Sequence, residues 1–170
     1  AHHFVADGLD DPSAVLAERS RSASSIASAR REHALRHAGS TSMLAKKAGL
    51  DGVTNILIDT SPDLREQMLA SGTRHVDAVL YTHDHADQTH GIDDLRTFAA
   101  RARKRIPAWM DEATRTSLTH RFDYIFETKL GYPPLLEART IPPHGVDWSV
   151  EGAGGAIPVT TFDQAHGPIR

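Results

Sequence analysis

The pattern of apolar and polar positions gives clear elements only beyond about residue 40. Asn55-Ile56-Leu57-Ile58-Asp59 is a short apolar run ending in an acid, which predicts a buried strand whose last residue emerges at the sheet edge. Ser61-Pro62 reads as an N-cap followed by proline at the first helical position. It opens a helix through Leu64, Met68 and Leu69 that Gly72 closes. Val76 to Thr82 is a second β-branched and aliphatic run, so strand, helix and strand succeed one another as in a βαβ unit with parallel strands. Beyond a histidine-rich turn, Leu95, Phe98 and Ala99 share one face of a helix predicted from Ile92 to Arg103, and a polar helix follows from Asp111 to His120. Pro133-Pro134, Pro142-Pro143 and Gly152-Ala153-Gly154-Gly155 punctuate the remainder and leave short strands near Leu135–Ile141 and Ile157–Phe162.

Residues 1–40 are rich in Ala, Ser, Arg and His, with little to bury and no clear period. They read as a poorly packed or disordered N-terminal segment, either a solvated helix from Ala14 to His37 stopped by Gly39 or no helix at all. Within it lie His2, His3, His33 and His37, and the i, i+4 spacing of the last two would suit a metal on a helix, although solvent-exposed side chains are the simpler account. Residues 41–170 form the structured domain.

Composition narrows the chemistry. A chain of 170 residues is one domain at most. With 19 Lys+Arg against 22 Asp+Glu, the formal charge of -3 offers no basic excess for a nucleic acid polymer. No apolar run reaches the length of a membrane span and no basic segment leads into an apolar core, so the expected setting is cytoplasmic, without a membrane partner. With no cysteine, thiolate sites are excluded, and His, Asp and Glu are the strong metal ligands left.

Thr82-His83-Asp84-His85-Ala86-Asp87-Gln88-Thr89-His90-Gly91 places three imidazoles and two carboxylates directly after a predicted parallel strand. In an extended or tightly turned segment, side chains at i and i+2 point the same way, so His83 and His85 can converge on one ion while Asp87 reaches the next position. Asp84 then points away from that face and is expected to be a solvated loop acid. Open α/β sheets place ligands at the carboxyl ends of their parallel strands. An ion held by imidazoles lowers the pKa of its water towards neutrality, so hydrolysis is the expected chemistry.

The three segments Ile58-Asp59-Thr60-Ser61-Pro62-Asp63-Leu64-Arg65, Tyr81 to Asp87 and His90-Gly91-Ile92-Asp93-Asp94-Leu95-Arg96 carry a family resemblance. From Ser42 to Arg170 the chain resembles the metallo-β-lactamase superfamily, and more narrowly its phosphoribosyl cyclic phosphodiesterase branch. The resemblance implies an αββα sandwich, here incomplete, with a zinc or manganese centre. It implies a metal-dependent hydrolase of phosphodiesters, acting on a small molecule such as a cyclic ribose phosphate or nucleotide-like ester. A homodimer is left open.

Carried over residue by residue, the resemblance makes His83, His85 and His166 ligands of one metal. Asp87 becomes a ligand of a second metal and the catalytic acid that orients the attacking water. Asp59 becomes a support that fixes an imidazole from behind. Its alternative role, a strand-end acid capping the helix from Ser61, stays open beside that one. Gln88 stands where the family has a histidine, and an amide is a weaker ligand than imidazole. His90, two residues on, is the possible substitute, with a supporting or substrate-contacting role ranked first.

The family continues past Arg170 through strands with further ligands, and its glycine-rich opening strand is absent. A truncated or frame-shifted reading of a longer gene is therefore expected, and the alternative function is a non-catalytic remnant that binds metal or nucleotide without turnover. Arg65, Arg96 and the run Arg101 to Arg105 form a solvated face or steer a phosphate. Trp109, Tyr124, Phe126 and Tyr132 are expected in packing roles.

Overall fold

Two sheets and a layer of helices organise the residues that a computed structural model describes, 2–6 and 42–163. The elements are β1 (His2–Ala6), β2 (Met43–Gly49), β3 (Gly52–Ile58), α1 (Leu64–Ser71), β4 (Ala78–Leu80) and α2 (Ala86–Thr89). A 3-10 turn (Ile92–Leu95) leads into α3 (Arg96–Ala102), followed by β5 (Ile106–Met110), α4 (Glu112–Arg121), α5 (Asp123–Phe126), β6 (Leu136–Thr140), β7 (Trp148–Val150) and β8 (Ile157–Asp163). The larger sheet runs in the order β2-β3-β4-β5-β6, and the smaller in the order β1-β8-β7. Strands β3, β4, β5 and β6 run parallel to one another, and β2 closes the edge as an antiparallel hairpin partner of β3.

Burial on both faces explains why β4 and the Ile56–Ile58 half of β3 are apolar without alternation. Leu57, Val79 and Tyr81 face the helices and join Leu64, Met68, Ile92, Leu95, Leu118 and Ile125 in one core. Ile56, Ile58, Ala78 and Leu80 face the other way and meet Val150, Ile157 and Val159 of the smaller sheet. Helices, sheet and second sheet are thus three successive layers of the expected αββα sandwich, and no second helical layer lies among the described residues. The Gly152–Gly155 turn fastens the two sheets together. Thr54 Oγ1 accepts from Gly154 N at 3.0 Å and donates to Gly155 O at 2.7 Å. A Cβ at Gly154 would collide with the Lys47 carbonyl.

Several expectations change in detail. The helix after β3 begins at Leu64, not at Pro62: Ser61 accepts Leu64 N through its carbonyl, while its hydroxyl donates to Asp63 Oδ1. Leu64 and Met68 are buried in that helix, whereas Leu69 is 67% exposed. Gly72 does close the helix, in the left-handed region at φ 63°. The segment from Ile92 splits into a 3-10 turn and a helix ended by left-handed Arg103. Strands β1, β2, β5 and β7 were not foreseen, and β1, which pairs antiparallel with β8, falls within the segment expected to be poorly packed or disordered. Trp109 packs on Trp148 with ring centroids 4.7 Å apart, and Phe126 is buried, whereas Tyr132 is exposed. The proposed helix from Ala14 to His37, with His33 and His37, lies outside the described residues, and His2 and His3 fall in β1. Among the described residues no helix is long and apolar enough to cross a membrane.

Candidate metal centre

The site is built at the carboxyl ends of β3 and β4, where two loops leave adjacent parallel strands and are laced together. Thr60 N donates to Gln88 O at 2.7 Å, and Gly91 N donates to Thr60 O at 2.9 Å. Thr60 Oγ1 shares a 3.1 Å hydrogen bond with the phenol of fully buried Tyr81, whose pKa burial pushes up, keeping it a neutral hydroxyl. Gly91 is demanded by this closeness, because a Cβ there would overlap the Ser61 carbonyl. Below the first loop, Ser42 Oγ accepts from Ser61 N at 2.5 Å and Gln67 Nε2 donates to Ser61 Oγ at 3.0 Å.

Asp59 continues the ladder, its N–H donating to Leu80 O at 2.8 Å, and then turns into the left-handed region at φ 60°. That conformation, tolerated by aspartate better than by most residues, swings the carboxylate across to β4. Asp59 Oδ1 accepts from Thr82 N and Oδ2 from Thr82 Oγ1, both at 2.8 Å. Thr82 Oγ1 in turn lies 2.9 Å from His83 Nδ1. With Asp59 ionised, the hydroxyl proton is directed to its carboxylate, so the oxygen accepts from His83 Nδ1–H and His83 Nε2 is left with its lone pair outward. Burial pushes the Asp59 carboxyl up to about 7, partly opposed by the two Thr82 hydrogen bonds and reinforced by the charge of Asp87. Asp59 does not cap α1; Asp63 stands at that position and forms no side-chain capping bond.

His83 Nε2 and His85 Nδ1 approach to 3.0 Å, with the rings edge to face at 72°. Two nitrogens on one tetrahedral zinc, each at about 2.0–2.1 Å, stand about 3.3 Å apart, so the pair has the spacing and donor chemistry to share an ion. The residues present fit a divalent metal in that sense. They do not complete its shell: among the described residues no group of three or more His, Cys, Asp or Glu side chains gathers closely enough to hold a metal ion. His166 lies outside the described residues.

The other candidates are placed around this pair. Asp87 stands in the first turn of α2 and accepts from Gln88 Nε2 at 3.1 Å. Gln88 is buried, and its Oε1 has no hydrogen-bond partner among the described residues. His90 turns outward, its Nε2 accepting from Arg121 Nη2 at 3.0 Å. Asp84, expected to be a solvated acid, is taken by the helix behind it, with Oδ2 accepting from Ser117 Oγ at 2.6 Å. Sequence reasoning gave no role to Thr82, Ser117 or Arg121. Only Thr82 left a signal, as a hydroxyl between an apolar strand and the first histidine.

Comparison with known proteins decides the family. Residues 54–170, more than half of the chain, match the model of the beta-lactamase superfamily domain. The chain belongs to the metallo-β-lactamase superfamily. An octanoyltransferase of Porphyromonas gingivalis is similar over 95 residues at 39% identity, a stretch that covers 55% of this chain and 19% of that protein. A crystal structure of a diphosphatase from the PhnP family is 31% identical, with a TM-score of 0.47, covering 62% of this chain and 42% of the other. Zinc-bound PqqB from Methylobacterium extorquens is 18% identical, with a TM-score of 0.47 and coverages of 71% and 47%. This superfamily member therefore spans a fifth of the curated relative and under half of both solved chains.

Proposed function

We propose that this superfamily member carries the metal-binding half of a hydrolase that cleaves small phosphodiesters, of the cyclic ribose phosphate or nucleotide-like class. The observation that carries the reading is the 3.0 Å convergence of His83 Nε2 and His85 Nδ1, with His83 held from behind by the Asp59–Thr82 pair. The motif resemblance around Asp59, His83 and His90 supports the phosphodiester class. The name of the octanoyltransferase describes a protein of which the match covers 19%, so acyl transfer does not come with it.

His83 Nε2 and His85 Nδ1 would hold the cation, zinc or manganese, with His166 as the further imidazole of the motif. A divalent ion there supplies two things: acidified water near neutral pH and charge to polarise a phosphoryl oxygen. Thr82 keeps His83 in the tautomer whose Nε2 faces the cation, and Asp59 keeps Thr82 turned to do so. Asp87, in the first turn of α2, would orient the attacking water and take up its proton. Asp87 and Gln88 offer only oxygen donors after the two imidazoles, which makes a second ion the weaker one.

Metal content by mass spectrometry, combined with turnover of bis(p-nitrophenyl) phosphate, tests the reading. Bound metal and activity that both disappear in His83→Ala are expected. Bound metal without turnover favours a binding remnant over an enzyme, and a wild-type chain with neither sinks the proposal.

A further inference from the structure

The bend that carries His83 and His85 is gripped from outside by the last turn of α4. Arg121 Nη1 donates to the carbonyl of Asp84 at 2.6 Å, between the two histidines, and Arg121 Nη2 donates to His90 Nε2 at 3.0 Å, at the far end of the segment. One planar guanidinium therefore spans the whole stretch from Asp84 to His90. Ser117, one turn earlier on the same face of α4, adds the hydrogen bond to Asp84 Oδ2, and Arg121 lies 3.8 Å from that same oxygen. The Arg121 guanidinium also rests 5.3 Å from the Phe122 ring centroid, and His90 meets that ring edge-on at 6.1 Å.

We infer that Arg121, assisted by Ser117, is a positioning residue that clamps the Asp84–His90 segment against α4 and so sets the geometry with which His83 and His85 meet a cation. This rests on the metal-dependent reading above. A guanidinium suits the task, because its fixed fork satisfies a carbonyl and a ring nitrogen at once, which the single ammonium of lysine cannot do in the same plane. The ends of the bend are held from two directions: Thr60 and Gly91 tie it to the β3 loop inside, and Arg121 ties it to α4 outside. Asp84, pointing away from the pair, is the handle by which α4 holds the peptide between the two imidazoles.

Arg121→Ala, Arg121→Lys and Ser117→Ala, each in the full chain, test the inference by cobalt(II) titration, the visible spectrum of the cobalt form and amide exchange of the metal-free chain. Arg121→Ala is expected to weaken cobalt binding by up to about 10-fold, the low end of the range for losing a partner bonded to a ligand itself, and to shift the cobalt bands. Amide exchange should rise from Asp84 to His90 but not within α4. Arg121→Lys should recover part of the affinity, and Ser117→Ala should lose less than Arg121→Ala. A variant that lowers the melting temperature alone, with wild-type cobalt affinity and spectrum, overturns the clamp and leaves the metal reading standing. A wild-type chain that takes up no cobalt overturns both.

Discussion

Asp59 and Asp111 occupy equivalent places, each directly following a parallel strand of the same sheet and standing before a helix, yet they do different work. Asp111 takes extended backbone geometry and accepts Thr114 N at 2.6 Å, an ordinary N-cap that satisfies an otherwise orphaned amide of α4. Asp59 takes a left-handed conformation, is almost completely buried, leaves α1 uncapped and turns its carboxylate to the neighbouring strand end. A local bond from residue i to i+3 stabilises one helix. A bond across 23 residues orients a hydroxyl and, through it, an imidazole. What distinguishes the two is the price in conformation and desolvation that Asp59 bears, which a capping role does not require.

The largest effect that sharpens this contrast is at the ligands themselves. His83→Ala should reduce zinc affinity by more than the roughly 100-fold typical of losing a supporting partner. Isothermal titration would read it, and unchanged affinity would detach the imidazole pair from metal binding. Next, Asp59→Asn should weaken zinc binding about 10- to 100-fold, while Asp111→Ala leaves it unaltered. Equal effects from the two substitutions would erase the distinction drawn between them.

A pH profile of stability probes Asp59 without metal. Its carboxyl is pushed up from 3.8 to about 7, chiefly by burial, so the folded chain retains a proton that the unfolded chain releases. Its contribution to stability is then fully present below about pH 4 and declines as the pH rises towards 7. Urea midpoints across this window should fall more steeply for wild type than for Asp59→Asn, and a wild-type excess that grows with pH would contradict the assignment. The smallest effect is expected at Asp111→Ala, a loss of about 1 kcal/mol in unfolding free energy with zinc affinity intact.

Much of this arrangement was legible along the chain, because its strongest signals are local. The uninterrupted apolar runs of β3 and β4 follow from burial on both faces, Gly72 from its left-handed cap, and the His83–His85 convergence from the two-residue period of extended backbone. The helix start was misplaced because Ser61 and Pro62 have capping character, whereas Ser61 is drawn instead into bonds with Ser42 and Gln67. Strand β2 escaped notice because Lys46 and Lys47 interrupt its apolar pattern, and β5 because Pro107 and a preceding basic run mask five residues of strand. Thr82, Ser117 and Arg121 were hidden for a different reason: their roles exist only through partners that folding brings from distant elements, as when Arg121 meets the bend 37 residues before it. Sequence period reports which face a side chain takes, and it carries no information about such meetings.

Histidine nitrogen shifts under zinc titration test the central claim most directly, through long-range proton–nitrogen correlation spectra of the assigned imidazoles. The arrangement predicts that His83 keeps its Nδ1 proton and coordinates through Nε2, while His85 coordinates through Nδ1, the two nitrogens moving together at the same zinc equivalence. A spectrum in which both imidazoles keep their metal-free nitrogen shifts, or in which His83 coordinates through Nδ1, contradicts it.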